Sequence, residues 1–87
     1  MTIPISVSAD FEARVILVRY RRLAEGTRVQ YDQPIAPGAS AGIDADGRAV
    51  AIELLNTDAP TLEAASGYAH VRKLAFPLHL AQLLEAA

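Results

Sequence analysis

The chain has 87 residues, a formal net charge of −2 at pH 7 and no cysteine. Because a domain usually has roughly 100 to 200 residues, this length predicts a single domain over residues 1–87. The lack of cysteine excludes a disulfide framework and a thiolate metal site. The slight negative charge excludes overall attraction to nucleic acid or an anionic membrane, and no apolar run reaches the ~18 to 20 residues of a membrane span. Without a leader pattern at the N-terminus, we expect a cytoplasmic protein.

Two strand patterns occupy the first 22 residues. Residues 3–8 alternate apolar and polar side chains, which is typical of a half-buried strand. Pro4 lacks a backbone N–H, so this strand should lie at a sheet edge or pair only through its last residues. Residues 14–22 combine β-branched and aromatic residues without a breaker, which predicts a central strand.

The middle of the chain predicts one hairpin followed by a loop. Glu25 and Gly26 suit a tight turn, because glycine adopts positive φ without strain, and residues 28–32 would return as the next strand. Pro34 and Pro37 then predict a loop that cannot form a regular ladder.

A second hairpin is predicted around Asp46 and Gly47. Asp-Gly between apolar runs is a strong hairpin signal, because the glycine adopts positive φ and the aspartate bonds its own backbone. Residues 41–44 and 48–55 are the expected strands on either side of this turn.

The last third of the chain predicts helices. Asp58 suits the N-cap of a helix with Pro60 in its first turn, and Gly67 suits its end. We also expect helix over residues 68–75, and a last helix that begins at Pro77. The apolar stripe of this last helix is formed by Leu80, Leu83 and Leu84.

These patterns predict the α+β class, with an antiparallel β-meander of about five strands in residues 1–56. The helical tail, residues 57–87, would pack on one face of the sheet. In the strand over residues 48–55, one face carries Val50, Ile52 and Leu54 and the other carries Ala49, Ala51, Glu53 and Leu55. In the strand over residues 14–22, Ile16, Val18 and Tyr20 lie on one face and Val15 and Leu17 on the other.

Both predicted faces are therefore substantially apolar, and hydrophobic residues make up 52% of the chain. A short helical tail covers only one face, so the other face needs a second copy or a partner chain, or remains an exposed apolar patch. We therefore expect a homo-oligomer, most simply a dimer, that also has the means to bind a protein partner.

Arginines near the end of the second strand form a basic cluster of Arg19, Arg21 and Arg22 around Tyr20. Arginines beside an aromatic ring suit phosphate binding or base stacking, which gives an alternative function as a small-ligand or nucleic-acid binder. On a strand, however, at most two of these arginines share a face, which is few for nucleic acid. The competing interpretation is a set of solvated charges that pair with carboxylates such as Glu53.

Metal binding has little support in the sequence. Asp44 opens an Asp-Ala-Asp-Gly stretch that resembles the start of a calcium loop, but the fifth position is Arg48 and the twelfth is Leu55, where oxygen ligands are required. His70 and His79 lie on either side of a proline and share no simple helical face. We expect no metal and no cofactor.

Catalysis has no positive support either. The serines lie in no nucleophile elbow, and phosphate-binding glycine loops are absent. A hydrolase using carboxylates such as Asp32, Asp44 or Glu53 stays a third hypothesis. We predict no catalytic residue and no enzyme.

Residues 10–20 (DFEARVILVRY) and 42–56 (GIDADGRAVAIELLN) resemble two signatures of a family of small bacterial proteins known only as a domain of unknown function. Those signatures are Asp-Pro-Glu-Ala-Asp-Ala-Leu-Tyr-Ile-Arg-Leu and Val-Asp-x-Asp-x-x-Gly-Arg-Val-Val-Gly-Ile-Glu-Ile-Leu. The matching positions are Asp10, Glu12, Ala13, Arg19, Asp46, Gly47, Arg48, Val50, Ile52, Glu53 and Leu55.

Four positions depart from the family pattern, namely Phe11, Arg14, Leu17 and Ala51. The resemblance covers about a third of the chain. It implies a β-meander packed on a helix and no assigned activity, and some relatives are encoded beside small toxin-like proteins. The resemblance thus adds a toxin-like protein as a potential partner.

Overall fold

This computed structural model describes residues 1–23, 26 and 28–77, with the backbone alone for residues 31 and 32. The described part contains five strands and one helix. They are β1 (Ser6–Asp10), β2 (Val15–Arg19), β3 (Gln30–Ala36), β4 (Ala39–Ile43), β5 (Ala49–Leu54) and α1 (Ala59–Val71). The sheet is antiparallel throughout and α1 packs on it, which confirms the predicted α+β class.

The strand order is β1-β2-β5-β4-β3. A β1–β2 hairpin and a β3–β4–β5 meander are joined where β2 pairs with β5. The prediction that residues 28–32 return beside the second strand was wrong, because β3 pairs with β4 at the opposite edge. The neighbour of β2 is instead β5, whose Ile52 and Leu54 lie opposite Val18 and Ile16 and extend the same apolar face.

The β1 edge agrees with the restriction that Pro4 imposes. β1 begins only at Ser6, and Ile5 donates its backbone N–H to the Arg19 carbonyl at 2.8 Å. The prediction that only the last residues of this segment pair is therefore confirmed. β2 is an interior strand, as expected, although β5 is the middle strand of the five.

At the opposite edge, Pro34 lies within β3 and pairs with Ser40, where we had predicted a loop. An edge strand tolerates proline because the missing N–H can face solvent, and the β3–β4 register is indeed irregular. Pro37 and Gly38 form the turn into β4, with a φ of 87° at Gly38.

The predicted Asp-Gly hairpin joins β4 to β5. The Asp44 backbone N–H donates to the Arg48 carbonyl, and Gly47 donates to the Asp44 carbonyl, both at 3.0 Å. Gly47 has a φ of 80°, which is the positive value that this turn requires.

One continuous helix that ends at Val71 replaces the two segments predicted on either side of Gly67, and residues 72–75, which were predicted to be helical, lie outside it. The prediction that Gly67 ends a helix was wrong, because Ala65 and Ala69 beside it are fully buried against the sheet. This packing outweighs the ~1 kcal/mol by which glycine disfavours a helix. Pro60 lies in the first turn as predicted, whereas Asp58 takes the N-cap position without a side-chain cap bond. The predicted last helix lies outside the described residues.

The core lies between the sheet and α1. The largest fully buried side chains are Ile16, Val18, Val50, Ile52 and Leu54, which confirms the predicted alternation of the two strands. The buried alanines of α1 let the helix approach the sheet closely.

Residues after α1 are tied to the N-terminal segment. Thr2 donates to the Lys73 carbonyl at 2.9 Å and accepts from the Ala75 N–H at 2.7 Å, so that Thr2 and Leu74 form a parallel bridge. The Tyr20 hydroxyl also donates to the Ala75 carbonyl, at 3.0 Å. In the described part of the chain, no helix has the length and apolar character needed to cross a membrane.

Candidate interaction surface

Exposed apolar residues follow one another at alternate positions of the N-terminal segment. Ile3 is 72% exposed, Ile5 is 50% exposed and Val7 is 38% exposed. We call these three residues the β1 strip. Val7 lies opposite Val18 and therefore on the helix-covered face, but α1 makes its main strand contacts with β3 and β4, toward the other edge. Among the described residues, no element covers the β1 strip.

The outer backbone of β1 is open as well. In an antiparallel ladder, the N–H and C=O groups of successive residues point alternately to the two neighbouring strands. Because Tyr20 donates to Val50 of β5 and Arg19 accepts from Ile5, the odd residues of β2 face β1. The register then turns Ser6, Ser8 and Asp10 of β1 inward.

Val7 and Ala9 consequently direct their N–H and C=O groups away from the sheet. No strand among the described residues pairs with this side of β1. Two complete sets of backbone donors and acceptors are therefore available for another strand.

The two edges of the sheet differ in how they would receive such a strand. Proteins protect an edge with proline, charge or irregular pairing. β3 has Pro34 and breaks in its register, whereas residues 6–9 of β1 carry neither charge nor proline. β1 is therefore the receptive edge, although its five residues limit the contact.

The face of the sheet away from α1 is less apolar than the sequence pattern suggested. Val15 and Leu17 are half-buried there, and Ala51 is 1% exposed. Glu53 lies opposite Leu17, and the exposed Arg19 lies opposite Ala51, so charged residues interrupt the apolar surface. No ion pair joins these two charges in the described part of the chain.

The predicted basic cluster is divided by the sheet. Arg19 is exposed, while the next residue, Tyr20, points to the opposite face and is 2% exposed. Burial raises the pKa of Tyr20 to about 12. Its ring is therefore unavailable for stacking on a base, and only Arg21 and Arg22 remain near each other beyond the end of β2.

Arg21 takes part in a basic cavity that the sequence did not reveal. A cavity of about 240 Å³ is lined by Arg21, Gly47, Arg48, Ala49, Arg72 and Leu74. Arg21 is half-buried, and its Nε is buried without a hydrogen-bond partner among the residues that the structure describes. Arg72 stacks on the Tyr68 ring, with 3.7 Å between the guanidinium carbon and the ring centroid. No sequence signal links Arg72 to Arg21, because the fold alone brings α1 to this end of β2.

Arg48 is already engaged by the hairpin carboxylates. Its Nε lies 3.1 Å from Asp44 Oδ2, and its Nη2 lies 3.4 Å from Asp46 Oδ2. The backbone N–H of Arg48 donates to Asp44 Oδ1 at 2.9 Å. This bond, together with the backbone N–H of Asp46 and the charge of Arg48, holds the pKa of Asp44 below its usual value. Asp44 therefore stabilises the turn, in agreement with the hairpin interpretation over a calcium loop.

Groups that would bind a metal do not assemble in the described part of the chain. No cluster of three or more histidine, aspartate or glutamate residues occurs there. His70 is exposed on α1, whereas His79 and the side chain of Asp32 lie outside what the structure describes.

No protein family, curated protein or solved structure matches the chain. The family resemblance of residues 10–20 and 42–56 therefore stays a prediction.

Proposed function

We propose that the chain is a non-catalytic protein-interaction module that acts as a homo-oligomer, most simply a dimer. The observation that supports this function is the β1 edge, where open backbone groups adjoin the exposed apolar β1 strip. A neighbouring strand would satisfy the backbone groups and cover the apolar side chains in one contact.

The size of the apolar contribution follows from the exposed fractions. Fully burying a valine or isoleucine side chain contributes about 2 kcal/mol. The exposures of Ile3, Ile5 and Val7 therefore correspond to about 3 kcal/mol per copy, or about 6 kcal/mol for two copies. Association costs at least about 4 kcal/mol, so the apolar term leaves at most about 2 kcal/mol, and backbone hydrogen bonds between the paired strands, at about 1 kcal/mol each, have to supply the rest. We therefore expect a weak, concentration-dependent dimer.

Sedimentation velocity at increasing protein concentration tests this function. We expect the unchanged chain to form dimers and Val7→Lys to remain monomeric, because the new charge would be desolvated at the contact. Leu55→Lys is the matched control, since Leu55 is 56% exposed and its backbone N–H donates to Gly38, in the turn between β3 and β4, so the change should not affect dimerisation. A chain that stays monomeric at every concentration, with circular dichroism of a folded protein, would contradict the proposal.

A second candidate function is the binding of a small phosphate-bearing anion in the basic cavity. The observation that favours it is Arg21 Nε, a buried donor without a partner in the described part of the chain, in a cavity that Arg72 also lines. Buried donors are costly to leave unpaired, and a phosphate oxygen would satisfy this one.

Calorimetric titration with inorganic pyrophosphate tests this second candidate. We expect binding that weakens with salt and is lost in Arg72→Gln, while Arg19→Gln binds normally because Arg19 lies outside the cavity. Absence of binding at low ionic strength would exclude this function for pyrophosphate and leave the basic cavity without this role.

A further inference from the structure

The geometry of the β1 edge also points to a particular way of pairing, which rests on the proposed self-association. We propose that two copies pair β1 with β1 in antiparallel orientation about a two-fold axis at Ser8. The outward backbone groups belong to Val7 and Ala9, which lie symmetrically on either side of Ser8.

This register uses every open backbone group of β1. Val7 of one copy lies opposite the partner's Ala9, and Ala9 lies opposite the partner's Val7. In an antiparallel ladder, each such pair exchanges two N–H···O bonds, so the contact forms four. Ser8 lies opposite the partner's Ser8 in a non-hydrogen-bonded pair.

The neighbouring registers use fewer bonds. An axis at Val7 would require outward groups from Ile5, but the Ile5 N–H already donates to Arg19 within its own sheet. An axis at Ala9 would require residue 11, which lies in the turn after β1, where Asp10 Oδ1 accepts the Ala13 N–H at 3.0 Å. Each of these registers therefore forms fewer bonds than the axis at Ser8.

Charge also agrees with an axis at Ser8. Asp10 is the charged residue of β1, and in this register it lies opposite the partner's Ser6 rather than opposite a like charge. The serine hydroxyl can donate to that carboxylate. The pairing therefore places no two carboxylates face to face.

The two-fold axis stands perpendicular to the sheet, so each face continues into the same face of the partner. The product is a ten-stranded sheet that carries both copies of α1 on one side. Val7, on the helix-covered face, then packs beside the partner's Ala9 and diagonally from the partner's Val7, whereas Ile3 and Ile5 extend beyond the paired residues of β1.

Single-cysteine variants test the register, because the natural chain has no cysteine. In Ser8→Cys, the two thiols occupy a non-hydrogen-bonded pair with Cα atoms about 4.5 Å apart, within disulfide range. In Ser6→Cys, the matched control on the same face and strand, the two thiols lie four positions out of register, about 13 Å apart along the strands. Both serines are exposed, so neither change disturbs the core.

We expect mild oxidation to convert Ser8→Cys, and not Ser6→Cys, to a covalent dimer that dithiothreitol returns to its reversible form. Faster cross-linking of Ser6→Cys or of Val7→Cys would overturn the axis at Ser8. Should the unchanged chain sediment as a dimer while Ser8→Cys fails to cross-link, the register is refuted and self-association stands. A monomeric unchanged chain refutes both.

Discussion

Replacing Ile52 by alanine tests the packing of the sheet most directly. Ile52 is fully buried in β5, between Val18 of β2 and Ala41 of β4. The change removes three carbon atoms, which corresponds to about 2 to 3 kcal/mol of transfer free energy. The cavity that remains brings the expected loss of unfolding free energy to about 2 to 5 kcal/mol.

This loss is large for so small a protein. At about 0.05 to 0.15 kcal/mol per residue, the whole chain has a free energy of unfolding of about 4 to 13 kcal/mol. The variant should therefore unfold at a much lower urea concentration, as followed by far-ultraviolet circular dichroism. All variants are compared at one protein concentration, because self-association would add to the stability of the folded state.

Leu55→Ala is the matched control for this experiment. Leu55 follows directly after β5 and is 56% exposed, so the same kind of truncation should cost less than about 1 kcal/mol. Ile52→Val, with an expected loss of about 0.5 to 1.5 kcal/mol, keeps the test valid if the alanine variant does not fold. Equal losses for Ile52→Ala and Leu55→Ala would refute the strand phase, because a slip of one residue exchanges the two faces.

Two further changes test single contacts by urea denaturation. Tyr20→Phe removes the hydrogen bond to the Ala75 carbonyl and should cost about 1 kcal/mol. Because burial raises the pKa of Tyr20 to about 12, the unfolded chain loses this proton first, and the natural chain should lose stability as the pH rises from about 10 to 12. Equal alkaline sensitivity in the phenylalanine variant would contradict this assignment. Gly38→Ala should cost about 1 to 3 kcal/mol, since φ is 87° and a Cβ would meet the Asn56 side-chain amide. Gly47→Ala, at a similar φ but in open space, isolates the conformational part, so equal losses would show that Asn56 adds nothing.

The parts of the fold that local chemistry determines were predictable from the sequence. The Asp-Gly turn before Arg48 carries its own side-chain and backbone bonds, and the alternation of Ile16 with Val18 and of Ile52 with Leu54 fixes which side chains enter the core. Each of these signals acts over a few residues. They suffice for strand phase and fold class.

Strand order was not predictable, because it depends on which apolar strands find each other across the chain. β5 pairs with β2 because apolar residues of the two strands lie opposite each other. β3 contains Pro34 and lies at an edge. The predicted helix end at Gly67 was wrong for a related reason, since the burial of the alanines around this glycine is a tertiary effect.

The candidate sites also combine features that the local sequence determines with features that depend on tertiary contacts. Val7 was visible as an apolar position in a strand pattern, but its exposure depends on where α1 lies. The basic cavity joins Arg21 to Arg72 from distant parts of the chain, and Tyr20 left the predicted cluster because its side chain enters the core.

Pro34 in β3 has a consequence for the size of any assembly. A sheet that accepts strands at both edges can polymerise into a fibril, because every added copy presents a fresh edge to the next. Here the proline removes a donor and disturbs the pairing at one edge, so an incoming chain finds no regular template there. Growth through β1 would therefore end once two copies have met, so the proposed self-association would not lead to open-ended polymerisation.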